Sequence, residues 1–326
     1  MHLRRIRTVF GLGSCLTLLL FARHLEAQEQ LVDSNFKTEV QNPAYLERGP
    51  IVAIDEGHSN LHTSTGQYRP FADLLSSDGY DVISLSAKFE PGAFVGIDVL
   101  IIANALPQDE SDLSQSAFTE QECDILEDWV WSGGSLLFIA DHAPFGDAAE
   151  NLARRFGVTM GKGWAFDSAS TEGVTTQLSF SRENGLLGTH PILRGRMSQE
   201  EVQVIRTFTG QSLGVPDGAT VLMAFSASAR EAQTRDDVHA EAAAARNAVA
   251  PGTFGSRSVP VVGNAQGIAM MFGKGRVVVL GEAGLLSAQI IRYPDGREIK
   301  FGMNVPGNDN QQFGLNVLHW LSGLLK

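Results

Sequence analysis

The chain has 326 residues, 43% of them hydrophobic, with 34 glycines, 37 acidic and 25 basic side chains, and a formal net charge of −12. This length can bury one large core or two modest ones. The acidic balance argues against nucleic acid or an anionic membrane surface as a partner.

Met1–Ala27 holds Arg4, Arg5 and Arg7, the apolar run Val9–Ala22, and Leu25-Glu26-Ala27. A basic start, an apolar middle and a small residue at the end are the marks of a secretory signal, so a periplasmic or secreted protein is expected. An uncleaved amino-terminal anchor is the alternative. Cys15 follows Leu12-Gly13-Ser14 in the manner of a lipoprotein signal, but the apolar run continues past it, against lipidation. Loss of residues 1–27 removes four arginines and one glutamate and takes the net charge to −15. Cys123 is then the one remaining thiol, and no internal disulfide can form.

Residues 28–49 are polar without a sustained period and read as a linker, after which 50–326 reads as one α/β domain. Pro50–Ile54 is the first buried strand, ending in Asp55-Glu56-Gly57-His58, with His62 in the polar loop that follows. Tyr68–Ser77 reads as a helix with Pro70 in its first turn and Gly79 past its end. Asp81–Leu85 and Asp98–Ala103 are the next strands, the second ending at Asn104. Thr119-Glu120-Gln121-Glu122 is a capping box opening a helix to about Trp131. Cys123 lies in that helix at helical spacing with Leu126 and Val130, as a buried structural thiol rather than a nucleophile.

Ser135–Ala140 is an apolar strand, and Gly146–Phe156 has helical spacing with Asp147 and Glu150 early and Arg154 and Arg155 late, an order that suits the helix dipole. The turn between them, Asp141-His142-Ala143-Pro144, falls at the carboxyl edge of the sheet, where open α/β folds bind ligands. Further on, Glu201–Thr209 and Ala219–Ser226 read as strands and Ala227–Ala250 as an exposed helical insertion. Ile268–Phe272 and Arg276–Leu280 read as a β-hairpin, the second ending in Gly281-Glu282-Ala283-Gly284. A Gly/Asn/Pro-rich loop leads to a closing helix, Asn310–Leu324, capped by Asn310. The fold class expected is a layered, mostly parallel sheet flanked by helices, with a C-terminal β-hairpin and a closing helix.

Four strand ends carry polar groups: Asp55 to His58 with nearby His62, Asn104, Asp141-His142, and Glu282. If these strands are parallel neighbours, two acids and three histidines share one crevice. Such a set suits a divalent metal such as zinc, with His58, His62, His142 and Asp141 as candidate ligands and a metal-bound water as nucleophile. Glu56, Asp141 and His142 are the candidate catalytic groups, as ligand, tautomer-fixing partner or general base. Asn104, Pro144, Phe145 and Glu282 are candidate substrate contacts. The plainer readings are a hydrogen-bonded structural histidine at each position, Asp141 as a helix cap, and core packing for Phe145 and Trp164. The amino end of the helix near Gly146 faces the turn and can favour an anionic group or oxyanion there.

The segments DVLIIANAL, FTEQECDILEDWVWSGGSLLFIADHAPFG and GRVVVLGEAG, in this order, resemble the class I glutamine amidotransferase-like fold. More narrowly, DEGH, ADHAPFG and GEAG look like the uncharacterised secreted branch of that group, and Thr189-His190-Pro191-Ile192 is similar to a turn of the trehalose-utilisation-type proteins. The resemblance covers most of residues 50–326 and implies a flavodoxin-like α/β sheet. It does not imply glutaminase chemistry, because the strand-to-helix elbow that holds the family's cysteine nucleophile here reads Ala140-Asp141-His142-Ala143-Pro144. The function expected is hydrolysis of a small polar substrate by a metal-bound or carboxylate-activated water. The alternative is a non-catalytic carbohydrate- or peptide-binding module.

Overall fold

The computed structural model describes residues 29–326 apart from positions 110, 114, 168–175 and 247–257. The secretory-signal segment lies outside the described residues, as does the last part of the expected helical insertion. Seventeen strands occur among the described residues: β1 Glu29–Val32, β2 Ile51–Asp55, β3 Asp81–Leu85, β4 Val99–Ala103, β5 Ser135–Ile139, β6 Thr159–Met160, β7 Trp164–Phe166, β8 Leu178–Ser181, β9 Val204–Thr207, β10 Leu213–Gly214, β11 Thr220–Ala224, β12 Arg230–Ala232, β13 Ser258–Pro260, β14 Ala265–Phe272, β15 Gly275–Leu280, β16 Ala288–Arg292 and β17 Glu298–Gly302. The helices are α1 Arg69–Ser77, α2 Glu120–Ser132, α3 Phe145–Arg155, α4 Pro191–Arg194, α5 Arg235–Arg246 and α6 Asn310–Leu321. None is long and apolar enough to cross a membrane.

The main sheet has the order β3-β2-β4-β5-β15-β14-β10-β6, with β11 also paired to β14. From β3 to β15 the neighbours are parallel; from β15 outward they are antiparallel. The apolar runs of β4 and β5 are buried at every position because both faces are covered. Alternate residues serve opposite layers. Val99, Ile101, Leu137 and Ile139 face α1 and α6, packing with Phe71, Leu74, Phe313 and Val317. Leu100, Ile102, Leu136 and Phe138 face α2 and α3, packing with Leu126, Val130, Ala149 and Leu152. Cys123 is part of that second layer, and burial pushes its thiol up to about 12, the state of an inert buried group.

The local signals act as expected at α2, where Thr119 and Glu122 form both halves of the capping box. They are displaced by a residue or so elsewhere: α3 starts at Phe145 with Pro144 as N-cap, so Asp141 does not cap it. The last helix is capped from Asp309, not Asn310, and its final turn is lost before Leu324.

Two larger differences come from long-range pairing. The polar segment after residue 28 contributes β1, which pairs antiparallel with β16, and the Gly/Asn/Pro-rich stretch before α6 contains β16 and β17. Backbone hydrogen bonds from partners over 250 residues away define β1, so no local period announces it. The expected exposed insertion begins as a strand, β12, paired with β7 and β13, before α5.

Leu137 lies fully buried at the centre of the sheet between Ile101 and Val278. Leu137→Ala is expected to lower unfolding free energy by about 2–5 kcal/mol. Ile83→Ala, on the half-exposed edge strand β3, is expected to lower it by under about 1 kcal/mol. Urea denaturation of both variants checks the contrast.

Candidate functional site

The parallel strands deliver their carboxyl ends to one edge, and a cavity of about 410 Å³ opens there. Asn104, after β4, is its keystone on one side. Its backbone has φ +52°, a left-handed conformation that asparagine tolerates better than most residues. Its Oδ1 accepts from the Asp141 N–H at 2.9 Å and its Nδ2 donates to His62 Nδ1 at 3.3 Å. Ser59, Lys162 and Thr209, the other non-glycine residues with positive φ among those described, flank the same edge loops. Local strain of this kind concentrates at ligand sites.

The three sequence-predicted histidines have three different roles. His58 is fully buried, and its ring lies between Phe89 and Phe118. Its Nδ1 faces Asp55 at 2.9 and 3.0 Å and its Nε2 faces Glu122 at 3.1 Å. Both nitrogens are engaged by carboxylates, so His58 has no free nitrogen to offer a metal. Burial alone would raise the Glu122 carboxyl; the backbone N–H and hydroxyl of Thr119 and the His58 ring outweigh it and hold Glu122 below its ordinary value. His58 therefore ties the β2 loop to the start of α2.

His62 lines the cavity with its ring against Tyr68. Burial lowers its pKa to about 3, which makes it neutral, and the Asn104 amide donating to Nδ1 leaves the ring proton on Nε2. His62 is a hydrogen-bond donor and not a base. His142 is the opposite case. Its Nδ1–H donates to the Ala143 carbonyl at 2.8 Å, and the ring stacks on Trp164 at 3.4 Å with 12° between planes. The neutral ring so held carries its lone pair on Nε2, which has no hydrogen-bond partner among the described residues and belongs to a cavity-lining side chain.

Asp141 lines the cavity with its Oδ1 accepting from the His142 N–H at 2.7 Å and its Oδ2 reached by the Ala283 N–H at 3.5 Å. Phe145 and Trp164 also line it. Glu282 does not. It is fully buried behind the wall, accepting from the backbone N–H groups of Gly284 and Leu285 at 2.8 and 2.7 Å. Burial, and then the charge of Asp141, push its carboxyl well above the usual range. Burial, and then the charges of Glu282 and Asp141, raise Tyr68, whose hydroxyl donates to the Ala283 carbonyl. Glu56 points elsewhere and is held by the N–H and hydroxyl of Ser64 at 2.8 and 2.6 Å. Pro144 serves as the N-cap of α3.

Asp141, His142, His62 and Asn104 thus come together, while His58, Glu56 and Glu282 are held apart from the cavity by their own partners. Among the described residues, no group of three or more His, Cys, Asp or Glu side chains is arranged to hold a metal ion. Of the four donors proposed from the sequence, His62, His142 and Asp141 line the cavity, while His58 is held by Asp55 and Glu122.

Sequence reasoning missed Gln211. This buried amide donates to the carbonyls of Ala140 and Asp141 at 2.8 and 3.0 Å and accepts from the Lys162 N–H at 2.8 Å. Its backbone N–H donates to Gly281 at 2.7 Å. A Cβ on Gly146 would stand 2.4 Å from Gln211 Oε1, and one on Gly281 2.3 Å from its carbonyl oxygen, so both glycines are required for it to fit. Gly281 and Gly146 were the visible signals, without a visible partner. Next to it, buried Glu231 accepts from the Ser212 N–H at 2.5 Å through Oε1, and its Oε2 has no partner among the described residues.

No family model matches the sequence, and no curated protein matches it. Solved structures do. The "mmIFT52 N-terminal domain" aligns over 84% of this chain and 97% of its own with a TM-score of 0.55 at 13% identity. A ThuA-like protein from Bacteroides uniformis aligns over 89% and 94% at 10% identity, TM-score 0.40. A GMP synthase-like protein from Thermoplasma acidophilum aligns over 83% and 95% at 11% identity, TM-score 0.40. At such identities the first of these shows a shared α/β fold, and none carries an activity over.

Two outcomes are expected of the buried groups. His58→Ala leaves the buried Asp55 and Glu122 without the ring that bridges them and is expected to cost about 3–5 kcal/mol in urea unfolding. For Glu231, burial raises the carboxyl above its ordinary value against the opposing Ser212 hydrogen bond. The folded state then binds the proton more tightly than the unfolded chain, so stability falls as pH rises from about 4.3 through the raised value. Glu231→Gln keeps the acceptor for Ser212 and removes the charge. Its stability relative to the native chain is expected to increase steadily from pH 4 to pH 7, as read from urea midpoints.

Proposed function

We propose that this protein is a hydrolase of a small polar substrate, using water activated by His142 beside Asp141. The observation that carries the reading is the His142 ring, stacked on Trp164 and fixed by the Ala143 carbonyl so that Nε2 keeps its lone pair in a cavity that Asp141 also lines. In the step proposed, Nε2 takes a proton from water as the oxygen attacks the substrate's electrophilic carbon. The imidazolium formed then returns that proton to the leaving group, and the bond to the leaving group breaks. Asp141 steadies the imidazolium and orients the water. Neutral His62, with its proton on Nε2, and the adjacent amide of Asn104 supply donors for negative charge on the reacting oxygen.

This assignment uses no elbow cysteine, in keeping with the position's departure from the amidotransferase-like group in which we place the chain. It needs no metal, although a divalent ion recruited by Asp141 and His142 together with the substrate is compatible with it. We place the mature protein in the periplasm or outside the cell, on the composition of residues 1–27. A second reading, a carbohydrate- or peptide-binding module without catalysis, is favoured by the uncharged amides Gln30, Gln67, Gln177 and Gln289 on the cavity walls.

A panel of neutral chromogenic esters, amides and glycosides tests the proposal. Turnover by the native chain is expected to fall about 10²–10⁴-fold in kcat/KM in His142→Ala, with a large fall also in Asp141→Asn. His58→Ala, where it folds, is expected to retain zinc content equal to the native protein's by elemental analysis. Turnover that survives His142→Ala would overturn the hydrolase reading, and saturable ligand binding with no turnover by the native chain would select the binding module.

A further inference from the structure

One wall of the cavity is the three-stranded sheet β1-β16-β17, which lies outside the main sheet. Its register places Gln289 between Val32 and Phe301, and Ile291 between Gln30 and Ile299. Gln289 and Ile291 are two apart on β16 and so share a face. That face is turned to the cavity, since Gln30, Gln289, Ile291, Ile299 and Phe301 all line it.

Gln289 is 2% exposed, and its orientation is fixed by its neighbours. The Ser287 hydroxyl donates to the Gly284 carbonyl at 2.7 Å, so towards Gln289 it acts as an acceptor, taking a hydrogen bond from Nε2 at 2.8 Å. The strand itself is pinned by Asn304, which donates to the Gln289 carbonyl and to Asp33, each at 2.9 Å. The amide cannot turn over without losing Ser287. Its Oε1 is left buried with no donor among the described residues. A buried acceptor without a partner is destabilising, and a ligand that supplies the donor recovers that loss.

The charge of the cavity narrows the ligand. Asp141 lies in it and Glu282 is buried behind it, whereas the one arginine on its lining, Arg235, is exposed at the rim. An anion would enter without a buried counter-charge. An uncharged group with a hydrogen to donate meets no such obstacle, and the rings and branched side chains beside Gln289 offer it an apolar surface.

We propose that Gln289 determines the specificity of the cavity: its Oε1 accepts a hydrogen bond from an uncharged O–H or N–H donor of the ligand, whose apolar side rests on Phe301 and Ile291. The inference rests on the cavity being the ligand site of the proposed function, and it adds the chemistry of the part of the substrate that does not react.

Four probes of one shape test it on the full chain by ligand-observed NMR: cyclohexanol, cyclohexanecarboxamide, methoxycyclohexane and cyclohexanecarboxylate. One of the two donor probes is expected to bind about 10-fold more tightly than the ether, which only accepts, and the carboxylate is expected to bind weakest. Which of the two it is tells whether the donor is O–H or N–H. Gln289→Leu is expected to bring donor and ether within about twofold of each other while leaving the ether's affinity in place. Ser287→Ala, which retains Gln289 but frees its amide, is expected to reduce the preference and serves if the leucine variant does not fold. Equal binding of donors and ether by the native chain, a preference that survives in both variants, or no saturable binding of either donor probe would overturn the proposal. Asp141→Asn separates it from the hydrolase reading. A donor preference retained in a protein without turnover leaves Gln289 assigned and removes the hydrolase, whereas Asp141-dependent turnover with no donor preference does the reverse.

Discussion

The carboxyl edge of the sheet depends on one amide. Where β5 ends, its backbone must leave the ladder and enter α3 without stranding buried carbonyls, because an unpaired buried carbonyl costs about as much as a lost hydrogen bond. Gln211 resolves this by donating to two successive carbonyls, Ala140 and Asp141, while its own oxygen takes the Lys162 N–H. The elbow, the loop after β9 and the end of β15 become a single buried unit. Asp141 and His142 are presented to the cavity from that unit, so the position of the candidate reacting groups is inherited from a residue that does not touch the cavity.

The same edge shows how burial sorts chemically similar residues. His58, His62 and His142 lie close to strand ends, yet one is pinned between two carboxylates, one is desolvated and fixed as a donor, and one keeps a free lone pair. Among the acids, Glu122 has donors enough to offset burial, while Glu282 does not, being placed behind a second carboxylate. Of Glu282 and its neighbour Asp141, Asp141 is the one that reaches the cavity.

The small sheet β1-β16-β17 gives that site its second wall. It is assembled from the first described residues of the chain and from the stretch before the last helix, and it closes over an edge that the main sheet leaves open. Its cavity face alternates amide and apolar side chains, while the floor is acid and imidazole. The amide-bearing wall and the acid and imidazole floor therefore come from separate parts of the fold.

Much of this was legible in the residues alone. The continuous apolar runs at Val99–Ala103 and Ser135–Ile139, the Thr119–Glu122 capping box and the glycines after strands determine a layered α/β sheet with polar strand ends, because period and capping are local properties of the chain. The position of Asp141 and His142 was legible for the same reason, since a strand that feeds a helix places its turn at the carboxyl edge of the sheet. What only the tertiary structure decided was which polar residues face one another. His58 looks like a ligand until Glu122, 64 residues away, takes its second nitrogen. Gln211 is one glutamine among many until it is seen across the elbow, and β1 has no period of its own because its partner is β16. Hydrogen bonding and desolvation act between groups brought together by packing, and neither leaves a mark in the local spacing of the residues that take part.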